Sequence, residues 1–201
     1  MAGGETSSLL TAAANGSVRG ARVSLQQGAA VNARDADGRT AVSIAAEQGH
    51  MQLLRCLLEA NADVVHAIDV NGWSPIMWAA RSGKADAVAE ICRSVGDDDS
   101  FGSPDDEDAA GLQSVARQQQ VLEAVNYDGS NALMVAASCG HAVVVATLLA
   151  AGANPLAASA ITGSTALHLA ASCGNGEVLE LLLEAERCDA AGRWRRAGPA
   201  L

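Results

Sequence analysis

Aromatic residues are scarce in this chain: one Phe, one Tyr and three Trp among 201 residues. An all-β core draws heavily on β-branched and aromatic side chains, so a sandwich or barrel is disfavoured. Long hydrophobic runs are missing too. None approaches about 18 residues, the length a membrane helix requires, so no membrane partner is expected. Met1–Ser8 has neither a basic leader nor an apolar stretch, which argues against a secretory signal. Basic residues number 13 against 23 acidic ones, a formal charge of −10. Nucleic acid is excluded as a partner, because phosphate binding needs a basic face. The five cysteines, Cys56, Cys92, Cys139, Cys173 and Cys188, form an odd, widely spaced set without C-x-x-C or zinc-finger spacing. Free thiols in a reducing compartment follow, and with them a cytoplasmic or nuclear location.

Catalytic signatures are equally absent. The chain contains no phosphate-binding G-x-x-x-x-G-K-[ST] loop, no G-x-S-x-G elbow and no H-E-x-x-H pair. The expectation is a protein without enzymatic activity, cofactor or metal. His50 and His141 read as residues that begin a helix and hydrogen-bond across a turn.

What the chain has in abundance is alanine, 43 residues, within a 49% hydrophobic composition. Alanine is the best helix former and lets neighbouring backbones approach closely. Its placement is periodic. Thr40-Ala-Val-Ser-Ile-Ala-Ala-Glu-Gln-Gly49, Ser74-Pro-Ile-Met-Trp-Ala-Ala-Arg-Ser-Gly83, Asn131-Ala-Leu-Met-Val-Ala-Ala-Ser-Cys-Gly140 and Thr165-Ala-Leu-His-Leu-Ala-Ala-Ser-Cys-Gly174 align without a gap. A fainter copy ends at Gly16. A second ladder, Gly38, Gly72, Gly129 and Gly163, stands eleven residues before each clear closing glycine.

Each copy reads as one unit. Asp35-Ala-Asp-Gly38 and Asp69-Val-Asn-Gly72 carry turn chemistry. Thr40, Ser74, Asn131 and Thr165 suit a helix N-cap, and Pro75 suits the first helical turn. The closing glycine suits an αL helix end. A second helix follows with an apolar stripe, such as Leu53, Leu54, Leu57 and Leu58, and ends at Gly28, Asn61 or Gly152. One such unit cannot bury its stripe alone, so the units must stack.

The register is broken once. The second and third closing glycines are 57 residues apart rather than 34, and the extra stretch holds Asp97, Asp98, Asp99, Asp105, Asp106, Glu107 and Asp108. Seven carboxylates over twelve positions repel one another, so 96–109 is expected to be disordered, with a loose helix allowed over 110–120. The organisation expected is repeats over 1–95, an acidic insertion over 96–120, repeats over 121–186 and a tail over 187–201.

The unit resembles the ankyrin repeat. Thr165-Ala-Leu-His168 matches the T-P-L-H signature with Ala for Pro, and Gly28-Ala-Ala-Val-Asn-Ala33 and Gly152-Ala-Asn-Pro155 match its G-A-D-V-N-A return. The resemblance implies an all-α solenoid of five helix-turn-helix repeats with short β-turn hairpins. Ser43, Met77 and Met134 replace the signature His, so a Thr–His bond is expected only between Thr165 and His168, inside the stack. The resemblance also implies binding of another protein through a concave face, either as a plain interaction module or as the regulatory or targeting subunit of a kinase, phosphatase or ubiquitin ligase complex.

Position by position, that face comprises Asp37, Arg39, Glu47 and Gln48, then Val70, Asn71, Trp73, Arg81 and Ser82. Tyr127, Asp128, Ser130, Ser138 and Cys139 follow, and then Ile161, Thr162, Ser164 and Ser172. Trp73 follows a turn glycine outside both helical stripes; it either anchors a partner or lies over its own hairpin. Trp78 is expected in the core. The regular last repeat is expected to leave an apolar end that Trp194 and Leu201 cover or that drives self-association.

Overall fold

The computed structural model describes residues 3–96 and 107–187. Among them the chain is all helix without a β-strand. Five helix pairs follow in order: α1 (Gly3–Ala14) with α2 (Val18–Gln26), α3 (Ala41–Gln48) with α4 (Met51–Glu59), and α5 (Pro75–Arg81) with α6 (Ala85–Gly96). After an extra helix, α7 (Glu107–Glu123), come α8 (Ala132–Cys139) with α9 (Ala142–Ala150) and α10 (Ala166–Cys173) with α11 (Gly176–Arg187). The all-α solenoid expected from the repeats is the fold observed.

The first helices α1, α3, α5, α8 and α10 stack in one row, and α2, α4, α6, α9 and α11 stack in a second, looser row. The tighter row follows from its alanines. Ala45, Ala46, Ala79, Ala80, Ala136 and Ala137 are wholly buried, and a methyl group is all that separates one backbone from the next. Closer spacing on one side bends the stack toward the first helices, so they and the adjoining fingers form its concave side. The second helices supply the larger core residues, including Leu53, Leu54, Leu57, Val88, Ile91, Val145 and Leu148.

Each finger is held by one acceptor side chain. Asp35 Oδ1 accepts the N–H groups of Asp37 and Arg39 at 3.0 and 2.8 Å. Asp69 Oδ1 does the same for Asn71 and Trp73 at 2.8 and 2.9 Å, and Asn126 Oδ1 for Asp128 and Ser130 at 3.1 and 2.9 Å. Neighbouring fingers are stitched by Val70 N–H to Asp37 O at 3.0 Å and by Tyr127 N–H to Asn71 O at 3.1 Å. The last finger is wider: its bridge joins Ala158 to Thr165, one residue further apart than Arg34 and Thr40 in the first.

Before their last rungs, the two glycine ladders lie at inter-repeat contacts. Gly72 has φ +77°, and a Cβ there would meet the Tyr127 backbone nitrogen at 3.0 Å. Gly140, at φ +76°, sits against Asn175 of the next pair, whose Nδ2 donates to Ala137 O and Ser138 O at 2.8 and 3.1 Å. Glycine is required at both places for its conformation and for the close approach.

The caps follow the sequence expectation with two corrections. Thr40 accepts from Ser43 N–H at 3.4 Å and Asn131 from Met134 N–H at 2.9 Å, but Ser74 makes no cap bond and its Oγ is buried without an acceptor or donor among the described residues. Pro75 occupies the first helical position, as expected. The C-cap of α5 is Ser82, one residue before the αL glycine Gly83, whereas Gly49, Gly140 and Gly174 are themselves the C-caps.

The insertion departs most from expectation. Residues 97–106 lie outside the described residues, but Glu107–Glu123 is one continuous helix that crosses the expected boundary at 120. Its C-terminal turn is structural: Val121 and Leu122 are buried in the common core, and Gln118 Nε2 donates to Ala151 O at 3.0 Å. The apolar anchor at 121–122, preceded by good helix formers at Gln118, Gln119 and Gln120, outweighs the carboxylates clustered at the helix start, where the dipole favours negative charge.

The C-terminal end of the stack is open among the described residues. Leu133, Met134 and Ala137 of α8 are buried, but their equivalents Leu167, His168 and Ala171 of α10 are half-buried or exposed. Among the described residues, nothing lies within 4 Å of the place a Cβ would take at Gly163 or Gly174. Thr165 and His168 do bond, Oγ1 to Nδ1 at 2.9 Å, but at the exposed end rather than within the stack.

Candidate functional site

The concave side contains one concentrated side-chain cluster, centred on α5 and the finger before it. Trp73 and Trp78 face each other with ring centroids 5.0 Å apart and planes tilted by 39°. The Arg39 guanidinium lies 4.6 Å from the Trp78 centroid and forms an ion pair with Glu47. The Arg81 guanidinium lies 5.4 Å from both indole centroids. Beneath them the buried Asp69 carboxylate holds the finger through Oδ1 and accepts from Trp78 Nε1 through Oδ2 at 3.2 Å. One carboxylate therefore fixes both the finger and the indole.

Of the face residues expected from sequence, Arg39, Glu47, Trp73 and Arg81 meet in this cluster. Two members were not expected there. Trp78 is half-buried and stacked, not enclosed in the core, because helical spacing puts it one turn before Arg81 on the exposed edge of α5. The repeat pattern marks Asp69 only as a turn residue. Trp73 lies over its own repeat and packs against the core, leaving part of the ring open.

The other expected residues spread along the face. Asp37 and Asn71 are exposed at the fingertips, where their carbonyls accept from the next finger. Asp128 is exposed, 3.5 Å from Asn126 Nδ2. Gln48 is exposed at the end of α3, and Ser138 and Ser172 point their hydroxyls back to Val135 O and Leu169 O, both at 2.9 Å. Fingertip side chains form an apolar row: Val70 is 58% exposed, Tyr127 67% and Ile161 65%. Ile68 and Val125, adjacent to the turn acceptors Asp69 and Asn126, are exposed as well, and nothing in the repeat spacing marks them.

The histidines are structural in a way the sequence did not show. His141 Nε2 pairs with Arg81 O at 2.9 Å, reaching back to the preceding repeat instead of across its own turn. His50 makes no cap bond, and its ring lies against Gly16. Cys139 and Cys173 are exposed and Cys56 and Cys92 buried, all four as free thiols. Burial pushes the Cys92 thiol up to about 11. Among the described residues no group of three or more His, Cys, Asp or Glu side chains could hold a metal ion, and no helix is long and apolar enough to cross a membrane.

Stacked helical hairpins with fingers on one edge define a repeat solenoid, and the family comparison agrees. The profile for ankyrin repeats (three copies) matches residues 9–99 and 110–191, and the chain belongs to the ankyrin-repeat family. It is similar to ankyrin repeat domain-containing protein 63 of mouse, 38% identical over 127 residues, covering 63% of this chain and 27% of that protein. Its similarity to the human protein of that name is 36% over 139 residues, 69% of this chain and 31% of the relative. The chain therefore spans less than a third of the length of these relatives. Ankyrin repeats are in general protein-interaction modules, typically without catalytic activity.

Proposed function

We propose that this chain is a non-enzymatic module that binds another protein through its concave face. One observation supports this reading above the rest: two tryptophans and two arginines, residue types enriched at interface hot spots, converge on the partly open surface of α5. Continuous with them is the row of exposed Val70, Tyr127 and Ile161, an arrangement that costs solubility unless something covers it. The scaffold is held by finger-to-finger hydrogen bonds and buried alanines, so a partner meets a preformed surface and little ordering entropy is lost. Photocrosslinkers placed at Gln48 and Ser82 on the concave side, and at Gln52 on the second row, test this. Crosslinks from the first two positions alone support it; crosslinks chiefly from Gln52 contradict it.

A second reading, self-association through the last repeat, is favoured by the side of α10 left open among the described residues and by Leu183, exposed on α11. In sedimentation velocity the chain then dimerises with rising concentration and Leu183→Glu restores the monomer. A monomer at every concentration removes it.

A further inference from the structure

The cluster on α5 also has a chemical preference, which rests on the concave-face reading and sharpens it. Each charged group in it except one is compensated. Glu47 is ion-paired with Arg39, and the Asp69 carboxylate receives two backbone N–H groups and the Trp78 indole N–H. Arg81 alone has no carboxylate within ion-pair distance among the described residues, and it is exposed. Its guanidinium is not loose, however. Its Cζ lies 5.4 Å from both indole centroids, within cation–π range, and no carboxylate engages its N–H groups among the described residues. Arg39 adds a buried Nε–H without an acceptor among the described residues.

A guanidinium that lies beside aromatic rings and has no carboxylate partner of its own suits bidentate recognition of a planar, two-oxygen anion. We propose that Arg81, with the Trp73–Trp78 platform, is a subsite for an Asp or Glu side chain of the partner, flanked by an apolar residue that covers the open part of Trp73 and the neighbouring fingertips Val70 and Tyr127. A phosphorylated residue fits less well. Its charge approaches −2, only one uncompensated cation awaits it, and Asp37, Glu47 and Asp128 lie along the same face. Cation–π contact with both indoles favours one placement of Arg81 before binding, so less side-chain freedom is lost when the carboxylate arrives.

The test uses the full chain labelled with ¹⁵N at the tryptophan indoles. Probes are three peptides, acetyl-Gly-Leu-X-Leu-Ser-Gly-amide, with X as Glu, Gln or phosphoserine. The expected result is saturable shifts of the Trp73 and Trp78 indole signals, with the Glu peptide binding about five-fold tighter than the Gln peptide, an advantage that shrinks with added salt. Arg81→Gln removes that advantage without weakening the Gln peptide, and Arg81→Lys keeps part of it while losing bidentate geometry. Equal binding of the Glu and Gln peptides, no shift with any peptide, a tighter phosphoserine peptide, or an advantage that persists in Arg81→Gln each overturns the proposal. Loss of the Glu preference with concave crosslinks intact sinks this subsite alone. Loss of the crosslinks sinks the concave-face reading itself.

Discussion

Gly140 and Gly174 occupy the same place in adjacent repeats, have nearly the same backbone conformation (φ +76° and +74°), and differ only in what lies outside them. Replacing each with Ala separates conformational cost from the cost of stacking. A non-glycine residue in the αL region costs about 1–2 kcal/mol at either site. At Gly140 the new Cβ also meets Asn175 Oδ1 at 2.8 Å and Cγ at 3.0 Å. Asn175 must rotate away, and the two hydrogen bonds its Nδ2 donates to Ala137 O and Ser138 O are lost, at about 1 kcal/mol each. Gly140→Ala should therefore cost about 3–4 kcal/mol and Gly174→Ala about 1–2 kcal/mol. Urea unfolding followed by far-UV circular dichroism reads both, given an unchanged m-value. Equal losses from the two variants would refute the assignment of the closing glycines to inter-repeat contact.

Two further outcomes follow from single side chains. Asp69→Ala removes the acceptor for two fingertip N–H groups and the Trp78 indole, and should destabilise by about 2–3 kcal/mol. Asp69→Asn keeps Oδ1, as Asn126 does in the next finger, so thermal denaturation should place it well above the Ala variant. In the native protein, iodoacetamide followed by mass spectrometry should modify Cys139 and Cys173 well before Cys56 and Cys92. The folded state holds Cys92 protonated up to about 11, whereas an unfolded thiol ionises near about 8.5. Stability linked to it is therefore complete below the unfolded value and is lost as pH rises toward 11; Cys92→Ala should flatten that alkaline decline in a pH series of unfolding curves.

The repeat architecture was legible because stacking imposes its period on the sequence. Glycines recur where fingers and helix ends touch their neighbours, and alanines where first helices approach. Helix α7 was less legible, since Val121 and Leu122 are too short an apolar signal to oppose seven carboxylates without their packing partners in view. At the site, the face positions could be assigned by register, but the Trp–Arg cluster could not. Its members Arg39, Asp69, Trp73, Trp78 and Arg81 come from two repeats and two kinds of segment, and only the stack brings them together. The reach of His141 to Arg81 O likewise depends on the preceding repeat, 60 residues away in sequence.

Partner affinity measured on matched single substitutions tests the concave-face claim most directly. With the protein crosslinked at Gln48 or Ser82 identified and purified, titration calorimetry compares Trp73→Ala with Val143→Ala, a 69%-exposed residue on the second row. Loss of a hot-spot indole should weaken binding about 30-fold, while Val143→Ala leaves it unchanged. An unaltered affinity for Trp73→Ala, or a larger loss from Val143→Ala, would contradict the account.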